Sequence, residues 1–140
     1  MAALTADREV EVSGRTEILH AKLTESDIYY KGAMMQFDKT TGLAKVAADV
    51  ANEGVVGVLK AGQTVGAGVN PDCEIERGKI WIPHTGAAVT DVDTFVHAAD
   101  SGDILLMAAQ AGDPCGRVLD WKVGFLLVDF RQRIPKLALT

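Results

Sequence analysis

The sequence predicts a mainly β protein: a compact β-barrel or two-sheet sandwich of short antiparallel strands, with at most one or two short helices and an extended N-terminal arm. Two observations carry this. Gly32, Gly42, Gly54, Gly66, Gly78 and Gly86 recur about every ten residues, the strand-and-turn spacing of all-β domains. Between them lie short runs rich in Val, Ile, Tyr, Phe and Trp, residue types that suit a pleated, half-buried surface.

The elements follow in order. In Arg8–Ser13, Val10 and Val12 alternate with Glu9, Glu11 and Ser13, which predicts a half-buried strand with a charged outer face, ended by Gly14. The pattern resumes less regularly over Thr16–Leu23. Asp27–Tyr30, Met34–Phe37 and Leu43–Ala47 read as short strands of a meander, with polar turns at Lys31-Gly32 and Asp38–Gly42. Residues 47–53 prefer helix but are too short to stand alone, so a single turn or loop is expected. Val55–Leu59 is apolar throughout, as in a strand covered on both faces. Gly57 within it implies a bulge or close approach by another backbone. Gly62–Gly68 reads as a mobile hairpin or bulged connection.

Cys73–Glu76 is expected to turn through Arg77-Gly78 into Lys79–Ile82, with Ile75, Ile80 and Ile82 inward. Trp81 then lies opposite the core, either as the inner side of a second sheet or as an oligomer-interface anchor. Pro83 ends the strand or places it at an edge. Residues 91–99 fit helical and alternating spacing alike, and Ile104–Ala109 fits a strand or a short helix. Gly116–Phe130 reads as a closing hairpin whose second run, Lys122–Phe130, is the best candidate for a central strand. Ile134-Pro135 begins an extended tail. The organisation expected is an arm (1–13), one β-rich domain (14–130) and a tail (131–140).

Composition narrows the function. A chain of 140 residues is most simply one domain with a real core, and an aromatic share of 6 % leaves Ala, Val, Ile and Leu to fill it. A formal charge of −5 argues against nucleic acid as the main partner. The end of the chain differs locally: Arg131, Arg133 and Lys136 follow Asp129 with no further acid, as in a solvated tail or one that docks on an acidic protein surface. The N-terminus lacks the features of a signal peptide, and no apolar run is long enough for a membrane helix. Cys73 and Cys115 are too far apart for a CxxC or zinc pattern; reduced, partly buried thiols are favoured over a disulfide.

The candidate chemistry is sparse. His20, His84 and His97 show no metal-ligand spacing. Gly62-x-x-x-Gly66-x-Gly68 is followed by Val69-Asn70-Pro71, which supplies neither the Lys-Ser/Thr of a phosphate loop nor the third glycine of a dinucleotide fingerprint. Neither Ser13 nor Ser101 sits in a Gly-x-Ser-x-Gly elbow. Asp91, Asp93, Asp100 and Asp103 form an acidic group, but such residues also cap turns. Gly32-Ala33-Met34-Met35 lacks the lysine that a biotinyl hairpin carries between its methionines. No catalytic residue, cofactor or metal is expected, and the chain does not read as an enzyme.

The order of turns carries more than their spacing. Ile28-x-x-x-Gly32, Thr41-Gly42-x-x-x-Val46-Ala47, Gly54–Leu59 and Glu74-x-Glu76-Arg77-Gly78-Lys79-Ile80-Trp81-Ile82 follow one another, then Thr85-Gly86-Ala87 and Phe95–Asp100. This succession resembles the small capsid decoration, or cement, proteins of tailed bacteriophages, over about residues 23–130. Where family members carry a Gly-Asp step before the later hairpin, Asp91-Val92-Asp93 stands here. The resemblance implies a β-rich, non-enzymatic protein, made in the host bacterial cytoplasm and bound to the capsid exterior of the virion. Its partners would be the major capsid protein and itself, as a homotrimer or a dimer, and it would hold the lattice against the pressure of packaged DNA. The residues expected to touch the capsid are Arg8, Glu9, Val10, Glu11 and Val12, with Val10 and Val12 as anchors, on an arm whose removal leaves the fold intact. Trp81 is expected at the oligomer interface. A different reading is a β-barrel carrier or ligand-binding module of a bacterial enzyme system, prompted by Gly62–Gly68 near Cys73. A third is an enzyme using Asp91–Asp103 with His97.

Overall fold

β7 (Asp72–Pro83) is the spine of the protein in a computed structural model that describes residues 3–48, 54–102, 104–106 and 116–130. Before it come β1 (Glu11–Lys22), β2 (Asp27–Tyr29), β3 (Met34–Phe37), β4 (Ala44–Val46), β5 (Val55–Leu59) and β6 (Gln63–Val65). After it come β8 (Phe95–Ala98), β9 (Ile104–Leu106), β10 (Gly116–Lys122) and β11 (Phe125–Asp129). The helical element among the described residues is one 3₁₀ turn, Val89–Asp91.

The chain is mainly β, as predicted. One curled antiparallel sheet, a half-barrel, runs in the order β4-β3-β5-β7-β11-β10-β8-β9, with β1 on the other flank of β7; β2 and β6 form a second, small sheet. Along one edge β7 pairs with β1, from Trp81 opposite Glu11 to Asp72 opposite Lys22. Along the other it pairs first with β5, at Ile75 and Glu76, and then with β11, from Lys79 to Pro83.

The two-residue period of a strand sends neighbours to opposite faces, and here both faces are used. Met34 joins one core with Val55, Val58, Ile80, Ile82, Leu126, Val128 and Phe130, inside the curl. Met35 joins another with Tyr29, Leu59, Val65, Cys73 and Ile75, under the small sheet. This is why Val55–Leu59 reads as continuously apolar: β5 lies between the two cores. Each large, fully buried side chain here contributes about 1.5–3 kcal/mol by leaving water. Gly57 fulfils the close-approach expectation, since a Cβ there would fall against the Glu76 carbonyl and 2.9 Å from Ile75 Cγ2.

Several local expectations are corrected. Gly14 does not end the first strand: β1 continues through it, with φ +77° at Gly14 and a register shift between Ser13 and Glu17. The extra residues form a bulge, and Thr16 Oγ1 donates to Glu76 Oε2 at 2.8 Å. Arg77-Gly78 is not a turn either. Gly78, at φ +155°, keeps β7 continuous beneath the bulge, where a Cβ would come within 2.9 Å of Thr16 Cγ2. The meander is incomplete. β3 and β4 are a hairpin about Asp38–Gly42, but β2 pairs with β6, which lies within the glycine-rich Gly62–Gly68 segment. Residues 95–98 resolve to strand and, among the described residues of the 104–109 run, 104–106 do too. Residues 49–53 and Cys115 lie outside the described residues.

Candidate interaction surface

Before β1, residues 4–8 are held against the segments at 31–32 and 101–102. Leu4 N–H donates to Ser101 Oγ at 3.0 Å, and Lys31 N–H donates to Asp7 Oδ1 at 2.8 Å. Arg8 N–H reaches the Lys31 carbonyl at 3.0 Å. The Arg8 guanidinium spans two backbone carbonyls, Gly32 at 3.0 Å through Nε and Gly102 at 2.9 Å through Nη1. A planar, permanently charged fork suits this double contact. Arg8 therefore acts as a clasp between two loops. Glu9 is exposed and ion-paired with Lys31 at 2.6 Å; Val10 is half-buried against the inner core. Glu11 and Val12 are exposed and already belong to β1, opposite Trp81 and Ile80. Deleting residues 1–13 would thus remove the clasp and three ladder pairs.

Trp81 lies on the outer face of the sheet, because Ile80 and Ile82 take the inner one. It is half-buried, and no second sheet among the described residues roofs it. Its register partners are Glu11 on β1 and Leu127 on β11. Phe125, 37 % exposed, stands beside it, two residues along β11 from Leu127. Lys122 Nζ sits 4.5 Å from the Trp81 ring centroid and 5.1 Å from that of Phe125, and also pairs with Glu11 Oε2 at 2.7 Å. A cation over an exposed aromatic face is worth about 0.5–1 kcal/mol, and a surface ion pair about 0–1 kcal/mol. These contacts order the patch more than they stabilise the fold. At the β10–β11 turn Val123 is 87 % exposed. The structure thus brings Glu11, one of the expected capsid contacts, onto the surface of the expected oligomer anchor. Phe125, Leu127 and Lys122 were not singled out for this face. Their alternation was visible, but the pairing of β11 with β7 links residues far apart in the chain, such as Trp81 and Leu127, and no local pattern reports it.

The remaining candidates are spread through the molecule. His97 is fully buried on β8. Asp91 Oδ2 accepts from Ala88 N–H at 2.9 Å, Asp93 pairs with Arg117 at 3.1 Å, and Asp100 Oδ1 accepts from Gly102 N–H at 2.8 Å. Each acid serves its own turn or strand, and Asp103 lies outside the described residues. Among the described residues, no group of three or more His, Cys, Asp or Glu is placed to hold a metal ion. Cys73 is a buried free thiol, its pKa pushed up by burial and, secondarily, by the Asp72 charge. Beside it a cleft of about 410 Å³ opens between Lys60–Gln63 and Asp72–Glu74, with His20 on its rim. No helix of the described residues is long and apolar enough to cross a membrane.

Comparison with protein-family models, curated proteins and solved structures finds no match for this chain.

Proposed function

We propose that this protein is a non-enzymatic decoration protein of a bacteriophage capsid, bound to the outside of the head and bracing the major capsid protein lattice. The observation that carries the reading is the outer-face patch of Trp81 and Phe125, with the buried Leu127 beneath it, tied through Lys122 to Glu11 at the start of β1. An aromatic centre rimmed by charged groups has the composition of a protein-binding surface. Trp81 and Phe125 serve contact between copies, and the neighbouring stretch Glu9–Val12 serves contact with the capsid. Symmetric attachment multiplies modest contacts into tight binding, so each patch can be small. The order of turns that resembles the decoration proteins adds to this. Undecorated heads mixed with the pure protein and imaged test it. Wild-type protein is expected to form a regular outer lattice, and the double variant Trp81→Ala, Phe125→Ala to lose most of it while still folding. Bare heads with the wild type would remove the reading.

The cleft beside Cys73 supports a second reading, a ligand-binding module. That reading expects a metabolite to raise the melting temperature of the isolated protein, and a broad screen without a shift counts against it.

A further inference from the structure

We propose that copies of this protein meet head to tail, the Trp81–Phe125 face of one seated on a face of the next formed by Ile18, Glu74 and Glu76. The inference rests on reading Trp81 and Phe125 as a contact between copies, and it names the surface they meet.

Each half of β7 is packed into a core on one face only, and that face changes between the halves. In the half before Gly78 the outer face carries Cys73 and Ile75, which belong to the core under the small sheet. In the half after it the inner face carries Ile80 and Ile82, which belong to the inner core. Two quarters of the strand surface are left over. The outer one holds Lys79 and Trp81, with Phe125 beside them on β11. The inner one holds Glu74 and Glu76, with their register partners His20 and Ile18 on β1. The pairing of Glu76 with Val58, a member of the inner core, fixes Glu76 on the inner face. The two quarters therefore lie on opposite faces and toward opposite ends of one strand. A contact between unlike surfaces is heterologous, so it closes into a ring or runs on as a filament.

Complementary chemistry selects this pairing. On the inner quarter Ile18 is 36 % exposed, and Glu76 accepts from the Thr16 hydroxyl. Neither Glu74 nor Glu76 is ion-paired among the described residues, although His20 and Lys60 flank Glu74 on the adjoining segments. On the outer quarter Lys79 forms no ion pair among the described residues, although Asp129 is its register partner. An uncommitted cation beside two aromatic rings thus matches two uncommitted carboxylates beside an exposed isoleucine. Trp81 and Phe125 cover Ile18, and Lys79 meets Glu74 and Glu76. Contact between two like quarters would leave these charges without their complement, and charge complementarity is what fixes register and rejects wrong partners.

Cysteine trapping of the full chain, in solution and without heads, tests this. Val123, at the exposed β10–β11 turn, borders the outer quarter, and His20 lies on the inner one. At about 0.05 M salt, where screening is weak, a mixture of Val123→Cys and His20→Cys copies should form a disulfide-linked dimer several-fold faster than either variant alone. Adding Lys79→Glu to the first, or Glu74→Lys to the second, should remove that excess. Mixing the two charge-changed copies should restore it, and the restoration also shows that both remain folded. A mixture no faster than its components overturns the proposal. So does Val123→Cys alone linking as fast as the mixture, which would set like faces together, and so does a charge exchange that restores nothing. Such a failure leaves the imaging of decorated heads as a separate test of the decoration reading.

Discussion

Asp38 shows how one side chain fixes a turn. Its Oδ1 accepts N–H bonds from Thr40 at 2.8 Å and Thr41 at 3.1 Å, and Lys45 Nζ stands 3.4 Å from its Oδ2. The Thr41 bond first, then Thr40 and, more weakly, Lys45 hold the carboxyl below its ordinary value, 3.8. A folded pKa that is lowered gives stability that is whole above the unfolded value and lost as pH falls through the folded one. Asp38→Asn should therefore lower stability near neutrality and change it least at the acid end, flattening the acid limb of the stability curve below about pH 4. Melting temperatures taken from pH 2.5 to 7 check this. Cys73 has the opposite sign. Its raised pKa keeps the thiol neutral, so any stability tied to it is whole below the unfolded value of 9.0 and declines as pH rises toward the folded one. Tyr29, raised by burial and then by the Asp27 charge, acts in the same alkaline direction.

At the scale of elements, the N-terminal segment is the least conventional piece. It has no ladder before Glu11, yet Arg8 ties the Lys31-Gly32 turn to the loop at Gly102. Arg8→Ala should cost about 2–4 kcal/mol, because two bonds from a charged donor to partly buried carbonyls are lost. Arg8→Lys should recover only part, since an ammonium does not span both carbonyls as a fork does. Urea midpoints with unchanged slopes measure both. Much of the element pattern was legible in the chain. The alternation of Val10 and Val12, the Asp38–Gly42 turn, the two-faced β5 and the central β11 all rest on neighbours a few residues apart. The clasp was not legible, because Arg8 acts on carbonyls far along the chain and carbonyls have no residue signature. Nor was the continuity of β7. Arg77-Gly78 has turn composition, and only the bulge laid over it from β1 explains why the glycine is there.

For the whole molecule, the sheet is a partition between two cores. Ile82 belongs to the inner core and Ile75 to the one beneath β2 and β6, on the same strand but opposite faces. Each Ile→Ala change should cost about 2–5 kcal/mol. Seven residues apart on a strand, they are about 23 Å distant. The double variant should cost the sum to within about 0.5 kcal/mol if the cores are energetically separate. Calorimetry or urea unfolding of the singles and the double decides this. What the sequence could not convey at this scale is which strand sits at the centre, since β7 joins partners from both halves of the chain. That centrality has a consequence for synthesis. On the ribosome β1 emerges about fifty residues before β7. At about 5–20 residues per second it waits roughly 3–10 s for its only strand partner among the described residues. During that interval both of its edges are unpaired, and Gly14 with Glu11 and Glu17 lies within it. The same bulge and charges that shape the finished edge thus keep the nascent strand from pairing with another chain while it waits.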